Sequence, residues 1–116
     1  MKHEYTDKRI LLVSDDASVR EALGEMLRAA DFDVRLAENG RSAVETLVET
    51  PVSVIVLDFR TRFDAKDLVG RKSKTLIALT DVDPFLPLIL TCDADTELDH
   101  ETSLMADFIV RHPVQP

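Results

Sequence analysis

The sequence predicts a doubly wound α/β domain built on a five-stranded parallel sheet of order 2-1-3-4-5. Two apolar runs carry most of that expectation, Ile10-Leu11-Leu12-Val13 and Val52-Ser53-Val54-Ile55-Val56-Leu57. Each ends in acidic residues, Ser14-Asp15-Asp16 after the first and Asp58 after the second. Between them come a helical spacing, a short alternating stretch and a second helical spacing, so the opening reads βαβαβ. Continuously apolar runs suit central parallel strands, and an alternating one suits an edge. Right-handed crossovers then give the order 2-1-3 and place the switch point between strands 1 and 3. Asp15 and Asp58 flank that crevice, the place where ligands bind in open α/β sheets.

The elements follow in order. After strand 1, Val19, Ala22, Leu23, Met26, Leu27 and Ala30 recur at the spacing of one apolar helix face, with Ser14, Asp15 and Asp16 where N-caps are found. Phe32, Val34 and Leu36 alternate with Asp33 and Arg35 as strand 2, and Asn39-Gly40 supplies a turn. Ala43, Val44, Leu47 and Val48 mark a second helix closed by Pro51. From Phe59 to Asp83 the signal is weakest. Gly70 interrupts a helix starting near Asp64, and Arg71 to Leu79 is the better candidate. Strand 4 is expected at Leu86–Thr91, with Pro87 near its start where a missing N–H is tolerable. A helix over Thr96–Met105 and a short strand 5 at Phe108-Ile109-Val110 complete the pattern, which His112-Pro113 ends.

A chain of 116 residues, 45% of them apolar, makes one domain. No residues remain for a helix after strand 5. One sheet face is therefore expected to be partly uncovered, and residues 1–116 are read as the N-terminal fragment of a longer protein or as a domain whose gap a partner fills. The lone cysteine, Cys92, cannot form an internal disulfide, and it reads as a small buried side chain. No apolar stretch approaches the roughly 20 residues needed to span a bilayer. Met1 to Arg9 is too polar for a signal peptide, so the expected location is the cytoplasm, with no membrane partner. A formal charge of −8 opposes direct nucleic-acid binding. Arg60, Arg62, Lys66, Arg71, Lys72 and Lys74 gather as a basic cluster, read first as a solvated face.

With these residues placed, the chain resembles a receiver domain of a two-component response regulator from about Arg9 to Pro113. The likeness rests on Ile10-Leu11-Leu12-Val13-Ser14-Asp15-Asp16-Ala17-Ser18-Val19-Arg20, on Ala37-Glu38-Asn39-Gly40 and on Val54-Ile55-Val56-Leu57-Asp58. It implies an Mg²⁺-dependent signalling switch rather than an enzyme, with the same strand order as flavodoxin-type domains. By resemblance Asp58 accepts a phosphoryl group from a sensor histidine kinase. Asp15, Asp58 and the backbone carbonyl of Arg60 hold the metal, and Ser14 reaches it through a water. Thr91, or Cys92 on another count, is the switch hydroxyl. Phe108 is either the switch aromatic or simply core. The implied partners are the kinase, an output domain or partner protein, and a second copy in a homodimer.

This sequence departs from the family pattern at several places. Ser14 stands where the first acid of the usual pair is expected, and it adds no charge for a hard cation. The expected lysine before the last proline is replaced by His112, or by Arg111 if one extra residue is allowed. Arginine keeps its charge in a planar fork, whereas an unperturbed histidine is charged only below about pH 6.5. The loop Phe59-Arg60-Thr61-Arg62-Phe63-Asp64 lacks a Met-Pro-Gly-like turn and puts two arginines beside Asp58. These changes motivate an alternative, a phosphorylation-independent receiver acting as a constitutive interaction module. An aspartate-nucleophile phosphatase would carry a second aspartate where Arg60 stands. A flavin site would suffer repulsion of its phosphate by Asp15 and Asp16.

Overall fold

The computed structural model describes residues 8–64 and 73–112. Five parallel strands, β1 (Arg9–Val13), β2 (Asp33–Ala37), β3 (Val54–Asp58), β4 (Leu88–Asp93) and β5 (Phe108–His112), form one sheet of order β2-β1-β3-β4-β5, as expected. The helices are α1 (Ala17–Ala29), α2 (Gly40–Glu49), α3 (Ser73–Val82) and α4 (His100–Met105). Gly70, Lys66, Arg71 and Lys72 lie outside the described residues, so the expected interruption near Gly70 does too.

The period-2 alternation of the strands divides the sheet into two unlike faces. Leu11, Val13, Ile55, Leu57, Leu90 and Cys92 enter one hydrophobic cluster with Ala43, Leu76 and Leu79 from α2 and α3. Each fully buried leucine there contributes roughly 1.5–3 kcal/mol relative to exposure. The other face carries Leu12 and Leu36, which are in register. α1 lies on it, with Gly24 packed close to Leu36. Asp58 and Thr91, also in register, belong to this second face.

Helix starts follow local hydrogen bonding. Asp16 caps α1 by accepting from the Ser18 and Val19 amides, and the Ser18 hydroxyl on the same oxygen is the main reason its carboxyl is held below the usual range. Asn39 and Ser42 form a reciprocal capping box at α2. α4 begins at His100 rather than at the expected Thr96, because Asp99 accepts from the Thr102 amide and so sets the cap there. The Thr96 carbonyl is taken instead by Arg111, at 2.8 Å.

The strand boundaries also shift. β4 begins just after Pro87, at Leu88, whose amide donates to Asp107 Oδ2 at 2.8 Å, and it runs on to Asp93. β5 continues through Arg111 and His112, which pair with Cys92 and Asp93. Two apolar assignments are corrected. Met26 is 67% exposed although it belongs to the expected inner face of α1, and Phe108 is 68% exposed rather than core. For Phe108 the cause is that among the described residues no helix follows β5, so the α1 side of that strand is uncovered.

The loop after β3 is docked on the start of α2. The Gly40 amide donates to the Arg62 carbonyl at 2.9 Å, and the Arg41 amide to the Phe63 carbonyl at 2.8 Å. This approach needs glycine, since a Cβ at Gly40 would lie 2.6 Å from Thr75 Oγ1 and 2.9 Å from the Phe63 Cα. Gly40→Ala is therefore expected to destabilise the domain by about 1–3 kcal/mol, the usual range for overpacking. Urea unfolding checks this, and an unchanged midpoint would show that the loop yields freely.

Candidate functional site

Two peptide segments converge at the C-terminal edge of the sheet. β1 delivers Ser14, fully buried, and the half-exposed end Asp15–Asp16; β3 delivers Asp58, which is 4% exposed. Ser14 is held in place by its amide donating to the Ala37 carbonyl at 3.1 Å. Arg20 Nη1 fixes the Ser14 carbonyl from α1 at 2.7 Å. The Ser14 hydroxyl donates to Asp58 Oδ2 at 2.9 Å. A buried carboxylate is costly unless its oxygens are hydrogen-bonded, and this serine supplies a short, enclosed donor.

The remaining donors to Asp58 come from the residue two positions on. The Arg60 amide donates to Oδ1 at 3.2 Å, closing an Asx-type turn, while the Thr61 amide donates to the Asp58 carbonyl at 3.0 Å. That turn folds the Arg60 side chain back, with Nε 3.4 Å from Oδ1 and Nη2 3.4 Å from Oδ2. Both carboxylate oxygens therefore face the guanidinium, and hydrogen bonding to Asp58 raises the Arg60 pKa further. The adjacent pair repeats the arrangement, for Asp15 Oδ2 accepts from the Arg62 amide at 3.2 Å and lies 3.8 Å from Arg62 Nε. Both arginines are partly exposed, so each pair is worth on the order of 1 kcal/mol or less.

Thr91 stands beside Asp58 in register on β4, on the same face. Its hydroxyl is buried and has no hydrogen-bond partner among the described residues, a condition it shares with the Thr61 hydroxyl. Cys92, one residue further, turns to the opposite face and joins the core, where burial pushes its thiol pKa up. The two candidates for the missing lysine also separate. Arg111 Nη1 donates to the carbonyls of Asp93, Ala94 and Thr96, so its charge is committed to the loop after β4. His112 lines a cavity of about 500 Å³ with Ser18, Val19, Ala22, Leu23, Arg60 and Asp93. The cation in contact with Asp58 is thus Arg60. The sequence places Arg60 and Arg62 beside Asp58, and the structure adds that the Arg60 guanidinium meets both of its oxygens.

The oxygens of Asp15, Asp58 and the Arg60 carbonyl are hard donors of the kind Mg²⁺ takes. As placed, however, each carboxylate already carries an arginine, and the described residues contain no group of three His, Cys, Asp or Glu side chains able to hold a metal ion. A divalent cation here would have to displace a guanidinium.

No family model matches the chain. It is 35% identical over 83 residues to the response regulator receiver protein CpdR of Brucella abortus, a match covering 71% of this chain and 63% of that protein. In structure it matches the response regulator TrrA of Thermotoga maritima, solved in complex with Mg²⁺-BeF, with a TM-score of 0.75, 23% identity, and coverage of 90% of this chain and 86% of that one. The chain has the fold of response-regulator receiver domains and is similar in sequence to one of them. The receiver of yeast Ssk1, solved with the histidine phosphotransfer protein Ypd1, has the same fold, with a TM-score of 0.66, 19% identity, and coverage of 92% and 79%. The chain spans 63% of the length of CpdR, and among its described residues no helix is long and apolar enough to cross a membrane.

The buried Thr91 hydroxyl yields a stability prediction for the domain. Burying a hydroxyl without a hydrogen bond costs about 1–3 kcal/mol. Thr91→Val, which removes it at nearly constant shape, is expected to raise the unfolding free energy by about 1 kcal/mol. A clear loss of stability in urea would show that the hydroxyl is satisfied in the resting protein.

Proposed function

We propose that this chain is a response-regulator receiver domain that accepts a phosphoryl group on Asp58 from a phosphohistidine-bearing protein and uses it to alter a protein-contact surface along β4, α4 and β5. The observation that carries the reading is the buried Thr91 hydroxyl, lacking a partner and in register with Asp58. A phosphoryl oxygen on Asp58 would give it an acceptor, drawing β4 toward the new charge. In the transfer an Asp58 oxygen bonds to phosphorus as the phosphorus–nitrogen bond of phosphohistidine breaks, and the imidazole leaves. The product carries about two negative charges where one stood. Arg60 and Arg62, half-exposed at the mouth, are placed to meet it.

Mg²⁺ would supply charge neutralisation at the same oxygens, with Asp15, Asp58 and the Arg60 carbonyl as its protein donors. Ser14, which already gives its proton to Asp58, contributes orientation rather than charge. The TrrA complex with Mg²⁺-BeF and the Ssk1–Ypd1 complex are the relatives that support a cation and a phosphohistidine partner here.

A second reading has its own observation. Because Arg60 already sits on both oxygens of Asp58, the unmodified receiver resembles a neutralised site and could act as a constitutive interaction module. Acetyl phosphate, or a histidine-phosphorylated phosphotransfer protein, followed by intact-mass measurement separates the two. The expected result is one phosphoryl adduct that Asp58→Ala abolishes. Thr91→Ala should keep the adduct but lose most of the accompanying NMR shifts in β4 and β5. Absence of any Asp58-dependent adduct with either donor would leave the constitutive module.

A further inference from the structure

We propose that Arg60 is an exchangeable counterion of Asp58 that competes with divalent cations for it, and that the displaced guanidinium moves to Asp93. Four observations converge on this. Arg60 meets both Asp58 oxygens through Nε and Nη2, and its own amide fixes the turn that aims it. Arg62 occupies Asp15, the other carboxylate of the edge. Ser14 is neutral and fully buried, so Asp58 and Asp15 are met by Arg60 and Arg62, and Asp16 and Asp93 also act on the Arg60 charge. A divalent ion at Asp58 would compete for the oxygens that the Arg60 guanidinium already holds and repel it at close range. Finally, the departing side chain has a place to go. Arg60 lines the cavity of about 500 Å³ together with Asp93 and His112. The Asp93 carboxylate already acts on the Arg60 charge in the resting arrangement.

The exchange links the phosphoacceptor edge to the β4–β5 end, since Asp93 and His112 are paired in register. With Arg60 on Asp58, the Asp93 carboxylate faces the cavity without it. With a divalent ion at Asp58, Arg60 bridges from the β3 loop to β4. The loop arginine thereby does two jobs with one charge, holding the resting carboxylate and reporting its neutralisation to a neighbouring strand.

Magnesium alone tests this, without any phosphoryl donor, so the outcome is independent of whether Asp58 is ever phosphorylated. Isothermal titration of MgCl₂ into the wild-type receiver, Arg60→Met and Asp58→Ala at fixed ionic strength is expected to show weak binding by wild type. Arg60→Met should bind roughly five- to tenfold more tightly, and Asp58→Ala should not bind, the gain being what one partly screened charge pair is worth. Circular dichroism confirms that each variant is folded. In the wild-type protein, the Arg60 Nε–Hε resonance should shift during the titration, and Asp93→Asn should reduce that shift while leaving the binding stoichiometry unchanged. Equal Mg²⁺ affinity in wild type and Arg60→Met, or an Arg60 Nε–Hε signal unmoved at saturation, would overturn the proposal.

Discussion

A carboxylate with 4% exposure at the end of a central strand is the constraint around which this edge of the molecule is arranged. Moving a charge out of water costs several kcal/mol unless hydrogen bonds and opposite charge replace the lost solvent. Asp58 obtains both from its nearest chain neighbours in space. Ser14 at the end of β1 donates its hydroxyl, and the turn beginning at Asp58 itself returns the Arg60 amide and guanidinium. The same turn then leads into Arg62 and Phe63, whose carbonyls take the first amides of α2. One buried charge therefore couples β1, β3, the loop after it and, through Gly40, the start of α2.

The two faces of the sheet divide the work. One buries leucine, isoleucine and valine against α2 and α3 and supplies most of the apolar burial. The other, toward α1, carries Asp58 and Thr91 at its C-terminal edge and runs out to β5, where Phe108 and Val110 are exposed. Chemistry and cohesion are thus separated by the simplest property of a strand, that neighbouring side chains point opposite ways. That separation also explains why Cys92 and Thr91, adjacent in sequence, have unrelated fates.

Much of this was legible in the sequence. The apolar runs of β1 and β3 identified central strands, their acidic ends located the edge, and Asp16 marked a helix start by residue type and position, whereas Asn39, read with Gly40 as a turn, caps α2. What was not legible depends on contacts between distant segments. Nothing local distinguishes an Arg60 reaching solvent from one folded onto Asp58; the docking of its loop on Gly40 settles that. Arg111 and His112 were equally good candidates for a single cation, and only the strand register sends one to the β4 loop carbonyls and the other to the cavity. Helical periodicity placed Met26 on the inner face of α1, but a period says which residues share a face and not whether a neighbour covers it.

The account stands or falls on the bond between Ser14 and Asp58, the enclosed contact that joins the two acidic strand ends. A double-mutant cycle of Ser14→Ala and Asp58→Ala, read by urea unfolding, measures it directly. A hydrogen bond to a buried charge predicts a coupling of about 1.5–3 kcal/mol between the two substitutions. Effects that add to within about 0.5 kcal/mol would contradict it.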